Sequence, residues 1–359
     1  MKKILIIFSL AIVLFSCSTD VELNADYKDI TVIYGLLNKN TSQQYIKVNK
    51  AFLGDASVAE MASVSDSFIY KNANVFLKKY KNGSLLKTIN FVYNDTIQKD
   101  TGFFANDKNV IYITNEKIIE DNELNNLDEY KYELVVKIEG KPEVKSETKL
   151  VADVRIQYPQ SYQNIMFYQS SGINTGFYKE QRLDFKSAKN SILNEVYVEI
   201  NFYEKDFGST DYKLRTLSWK QLDKRATTDV GGENLRSYVS GSGFYYYVHT
   251  QVENNNVEER VFYSVRFFFV TAGESLTKYI DLTTPSYGIV QEKPSYTNIE
   301  NGWGLFSSRS SKYSAYHILE SSSLQHLNDF NQSDKFIPAN MVQPFYLANP
   351  NLDPQDLYQ

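Results

Sequence analysis

His, Cys, paired carboxylates and activated hydroxyls are the side chains that carry acid–base, metal and nucleophilic chemistry, and this 359-residue chain is thin in the first two. It has three histidines, His249, His317 and His326, and one cysteine, Cys17. His317 and His326 stand nine positions apart, not at the i, i+4 spacing by which one helix face presents two imidazoles to zinc. His249 falls in the run GFYYYVHTQV, which reads as a strand, and is expected to be a packed or rim residue. No G-x-S-x-G, P-loop or H-E-x-x-H sequence occurs. The 43 carboxylates include no pair whose context singles it out for glycoside hydrolysis. The acidic fragments DSFIY, NDTIQKD and NNLDEY lack the spacing of a calcium-binding EF-hand loop and read as solvated loops. No catalytic residue, metal ligand or cofactor is therefore expected. With one cysteine it forms no internal disulfide, so its stability must come from core burial.

Cys17 is the residue with a defined chemistry. Lys2 and Lys3 make a cationic start, and residues 4–15 are apolar but for Ser9. Small Ser16 then precedes the cysteine, which is the layout of a bacterial secretory signal. At 1.5 Å rise per residue this run is too short for a transmembrane helix, which needs about 20 apolar positions. The stretch LFSC resembles the lipobox of bacterial lipoproteins through Leu14, Ser16 and Cys17. That resemblance implies a signal peptide over 1–16, a diacylglycerol on the Cys17 thiol and a lipidated tether over 17–27. Each buried methylene contributes about 0.8 kcal/mol, so several acyl chains anchor a protein durably.

The elements around these residues read as β. Tyr, Phe and Trp number 28, 22 and 2, a composition suited to pleated, half-buried surfaces, where most of the rings are packing residues. DITVIYGLL is apolar on both faces and predicts a central strand. QYIKVNKAF alternates more cleanly. In NVFLKKYKNGSLLKTINFVY the Asn82-Gly83 pair predicts a tight hairpin. NVIYIT, YKYELVVKIEG and VKSETKLV complete the strands of the first half. LDEYKYELVV resembles the approach to strand F of immunoglobulin-like and fibronectin-like sandwiches, with Leu127 before the turn and Tyr132 placed for a tyrosine-corner role. An immunoglobulin/fibronectin-like β-sandwich is therefore expected over 28–152. A second antiparallel β domain with short helices is expected over 153–311, beginning with NEVYVEINFYE, a half-buried strand. GFYYYVHTQV and ERVFYSVRFFFV are read as a hairpin, and ESLTKYIDL and SSLQHLNDF as short helices. Pro338, Pro344, Pro350 and Pro354 predict an irregular tail over 312–359. Loss of Lys2 and Lys3 with the signal would take the formal net charge of −5 down by two, to −7. That disfavours nucleic acid and anionic lipid surfaces as partners.

The stretch KPSYTNIENGWGLFSSRSS, with YGLL and YIKVNKAFLGD, resembles a family of Bacteroidota outer-membrane lipoproteins of uncharacterised function, usually encoded beside SusC-type TonB-dependent receptors. The matching positions are Tyr34, Gly35 and Leu36, and Tyr296, Asn298, Ile299, Asn301, Gly302, Trp303, Gly304 and Phe306. Trp303 stands where a smaller or aliphatic residue is expected. The resemblance implies an outer-membrane lipoprotein, with Ser18-Thr19-Asp20-Val21-Glu22 as a thin acidic signal for display on the cell surface. It implies an accessory of a TonB-dependent receptor, capturing a nutrient or capping the receptor, with a structural or adhesive envelope protein as the alternative and a glycan or peptide hydrolase behind that. Tyr296, Asn298, Trp303 and Phe306 are the residues expected to meet a glycan, a peptide or the receptor. Packing of Trp303 back onto the sheet is the competing reading for that ring. Asp95-Thr96-Ile97 fits the short O-glycosylation pattern of some Bacteroidota.

Overall fold

The computed structural model describes residues 30–51, 64, 68–70, 72–98, 108–172, 175–252, 256–283, 295–349 and 351–352. Cys17, the signal peptide over 1–16 and the tether over 17–27 lie outside the described residues. The fold is mainly β with a few short helices, and most of its strand pairs are antiparallel.

The first half contains β1 (Thr31–Leu37), β2 (Gln44–Lys50), β3 (Ala73–Lys81), β4 (Ser84–Asn94), β5 (Ile111–Thr114), β6 (Tyr130–Ile138) and β7 (Val144–Thr148). Asn82 and Gly83 adopt φ of 47° and 84°, so β3 and β4 are joined by the tight turn that the sequence predicts. β4 serves two neighbours: residues 84–91 pair with β3 and Val92–Asn94 with β5. The sheet thereby folds over and encloses one core containing Ile33, Val75, Leu77, Tyr132 and Leu134. Tyr132 is fully buried and donates its hydroxyl to the Ile118 carbonyl at 3.0 Å. That bond spans the 3-10 segment Asp121–Glu129, in which Leu127 is buried, in the manner of a tyrosine corner.

The second half contains β8 (Arg155–Tyr158), β9 (Tyr168–Gly172), β10 (Thr175–Tyr178), β11 (Glu180–Lys186), β12 (Leu193–Asp206), β13 (Tyr212–Arg225) and β14 (Asn234–Ser240). These are followed by α1 (Gly241–Gln251), β15 (Val257–Ala272), α2 (Glu274–Thr283), β16 (Trp303–Tyr313), α3 (Ser321–Phe330) and α4 (Ala339–Ala348). Val196, Val198, Ile200 and Phe202 of β12 face Leu183 and Phe185 of β11 and Phe244 of α1 in a second core.

Three expectations change. GFYYYVHTQV is helix α1, not a strand: Ser240 caps it by accepting a bond from the Gly243 N–H at 3.1 Å, and Phe244, Tyr245 and Val248 recur on one buried face. The tail over 312–359 is not irregular in its described part, because Leu327 of α3 and Val342 and Tyr346 of α4 are buried. Pro338 stands at the cap of α4, and Pro344 is accommodated within it. Finally, residues 28–152 do not complete the first module. β16 supplies its last strand, running parallel to β1 from Trp303 to Ser308 and then antiparallel to β15 from Arg309 to Tyr313. The strand order β13-β12-β15-β16-β1-β2-β5-β4-β3-β6-β7 therefore runs through both halves.

Candidate functional site

The segment leading into β16 carries the four residues expected to bind. Gly35 pairs with Phe306, and the inward alternation buries the Phe306 ring completely in the first core. Asn298 acts as a surrogate strand: its carboxamide nitrogen donates to the Phe306 carbonyl at 2.6 Å and its oxygen accepts the Phe306 N–H at 2.9 Å. Its own carbonyl accepts the Ser146 hydroxyl at 2.7 Å. Phe306 and Asn298 are thus used in holding the fold, with the Phe306 ring inside the core. Trp303 remains at the surface, 43 % exposed, and Tyr296 is half-buried near Lys278. Asp95, Thr96 and Ile97 are exposed just beyond β4.

A cleft of about 310 Å³ opens where the two modules meet. Lys131 of β6 and Glu147 and Thr148 of β7 line one wall, and Glu274 and Ser275, the first residues of α2, line another. Asn190 braces the floor in a left-handed conformation with φ of 61°. It donates its carboxamide to the Leu150 carbonyl at 2.9 Å and its N–H to the Asp229 carbonyl at 2.7 Å. The charges on the walls differ in how they are engaged. Lys131 pairs with Glu147 at 2.7 Å and Glu274 with Lys278 at 2.6 Å. Lys149 and Asp229, on opposite modules, have no hydrogen-bond or ion-pair partner for their side chains among the described residues. Nearby, Lys189 bonds Asp128 at 2.9 Å across the junction and holds that carboxyl below the usual range. A concave site of this size takes a small molecule, and separated charges of opposite sign suit a polar one with groups of both signs. The cleft was not legible in the sequence because its lining comes from segments far apart in the chain, with no local motif.

The histidines serve the second module. His249 lies on α1 with Nδ1 2.9 Å from Asp334 and 3.0 Å from the Asn331 amide. Burial raises the Asp334 carboxyl, and His249 opposes that shift. Arg260, fully buried, donates Nε to Glu204 at 2.8 Å and Nη1 to the Asp334 carbonyl at 2.6 Å. An oriented imidazole of this kind serves catalysis when a hydroxyl or thiol sits on its other nitrogen. Here the group recorded at His249 Nε2 is the Asn331 amide, at 3.4 Å, so the arrangement reads as a clasp between α1, β15 and the chain after α3. His317 is buried and donates Nδ1 to the Gln163 carbonyl at 2.8 Å. His326 stacks on Tyr168, with centroids 3.7 Å apart. Burial lowers both of these imidazoles. No group of three or more His, Cys, Asp or Glu side chains among the described residues could hold a metal ion.

No family model and no curated protein matches the chain. Among solved structures it is similar to a DUF4785 family protein from Legionella pneumophila, with 10 % sequence identity and a TM-score of 0.21. That alignment covers 67 % of this chain and 52 % of the other, so this chain spans about half the length of that structure.

Proposed function

We propose that the protein is a lipid-anchored, non-enzymatic binding protein of a bacterial outer membrane, acting beside a TonB-dependent receptor. Cys17 carries the anchor, and the two modules joined through β16 form the binding body. The observation that supports binding most directly is the inter-module cleft of about 310 Å³, whose lining includes Lys149 and Asp229, side chains that form no hydrogen bond or close ion pair among the described residues. A small polar solute with both charges fits those groups, and the anchor would hold the captured solute at high local concentration beside the receptor. The lipobox resemblance supports the address, and the family resemblance through Tyr34, Gly35, Leu36 and the segment from Tyr296 to Phe306 supports the receptor.

The test is affinity capture of the lipidated protein from detergent-solubilised membranes of the native host. Stoichiometric recovery of a TonB-dependent receptor is the expected result. Recovery without any receptor overturns the accessory role and favours an envelope spacer. In parallel, Cys17→Ser should move the protein to the soluble fraction, and labelled palmitate should enter only the wild type.

A further inference from the structure

β16, β1, β2, β5 and β4 are hydrogen-bonded in that order, and their inner face fills the first core through Ile33, Ile46 and Phe306. Their outer face is largely apolar as well, with Lys47, Asn49 and Asn94 among its outward positions. Val32 pairs with Trp303 on one side and Asn49 on the other, Tyr34 with Lys47, Tyr45 with Ile113 and Ile113 with Val92, so apolar side chains predominate on this outward band, with Asn49 and Lys47 set among them. Trp303, Tyr34 and Tyr45 are each 43 % exposed and Val92 is 69 % exposed. α2 covers part of the band: Leu305 is 4 % exposed, and Tyr279 meets Tyr34 edge-on at 6.5 Å. The rest lies open. Large exposed apolar side chains gathered on one face of a folded chain mark an interaction surface.

We infer that this band seats the first module on the headgroup region of the bilayer that holds the anchor. The inference rests on lipid attachment at Cys17. Three observations favour a lipid surface over a protein. First, the anchored cysteine and the start of the described chain at Ile30 are separated by twelve residues, a span of at most about 47 Å when fully extended. The chain enters the fold at β1, itself a strand of the band between β16 and β2, so the anchor keeps this face near the membrane. Second, three of its exposed side chains are Trp and Tyr, whose amphipathic rings partition to the membrane–water interface. Third, the outward positions of the paired segments carry no carboxylate, although the chain has 43. The one charge there is Lys47, which bonds Asn109. The overall acidity that disfavours anionic surfaces is absent from this face.

The chain has two tryptophans, and Trp219 lies in the second module stacked on Tyr247. W219F therefore leaves Trp303 as the single reporter. The experiment places lipidated W219F in phosphatidylcholine vesicles brominated near the headgroup end of the acyl chains. Emission should fall roughly twofold against unbrominated vesicles, as for an indole at the interface. Tyr34→Ser with Tyr45→Ser in the same background should weaken that quenching. If W219F fails to fold, wild type against W303F gives the same reading, since Trp219 alone should stay unquenched. Unchanged emission while the protein floats with the vesicles overturns the seating, leaves the anchor intact and assigns the band to a protein partner. Failure to float at all overturns the anchor and the seating together.

Discussion

Arg260 is fully buried, and its guanidinium holds both Glu204 and the Asp334 carbonyl. Removing one partner of a buried pair leaves the other desolvated, which costs about 3 to 5 kcal/mol. Arg260→Ala should therefore lower stability by about that amount in denaturant melts, whereas substitution of a solvent-screened pair such as Lys117 with Asp121 should leave the melt essentially unmoved. His317 makes a pH prediction. Burial lowers its pKa from the ordinary value of 6.5, so the folded state keeps the ring neutral while the unfolded chain takes up the proton first. The stability it contributes is whole above about pH 6.5 and declines as pH falls below that value. Asp334 acts in the opposite sense: burial raises its pKa, so acidification through that raised value relieves a cost of keeping it charged. Thermal melts between neutral and mildly acidic pH should show a decline that His317→Gln reduces, with the amide retaining a donor for the Gln163 carbonyl.

At the scale of elements, the parallel pairing of β1 with β16 is the most constrained feature. Gly304 has φ of 112°, and a side chain built there would have its Cβ 1.9 Å from the Ile33 carbonyl oxygen. Neither the backbone angle nor the space admits alanine. Gly304→Ala should force β16 away from β1, destabilise the protein by more than about 3 kcal/mol and open the Trp303 end of the sheet to hydrogen exchange. Helix α1 depends on a smaller device. Ser240→Ala removes the cap bond to Gly243 and should cost about 1 kcal/mol in a denaturant melt. The aromatic run of α1 explains why it reads as a strand: Tyr and Phe favour pleated surfaces in general, and here the spacing of Phe244, Tyr245 and Val248 against the second core overrides that preference.

At the scale of the whole molecule, the two larger of the three hydrophobic cores among the described residues share the strand β16. β16 contributes Phe306 to the first core and pairs with β15, whose Phe267 and Phe269 belong to the second. Loss of β16 from either side leaves an unpaired sheet edge and an uncovered core. Unfolding by calorimetry should accordingly be one transition, with calorimetric and van't Hoff enthalpies in agreement. Gly304→Ala should divide it into two. Two resolved transitions in the wild type would overturn this coupling.

The sequence by itself determined what depends on local spacing. The alternation in β1, β2 and β12, the turn at Asn82-Gly83, the burial of Leu127 and Tyr132 and the helices α2 and α3 are all dictated by residues within a few positions of one another. Tertiary structure alone decided what depends on distant partners. Phe306 and Asn298 look like surface candidates until Gly35 and the Phe306 backbone claim them. The tail becomes helical because Leu327, Val342 and Tyr346 find apolar surface to cover. The cleft between Lys149 and Asp229 exists because two modules meet there. Short-range periodicity records which way a side chain points, and only the closed sheet records what it meets.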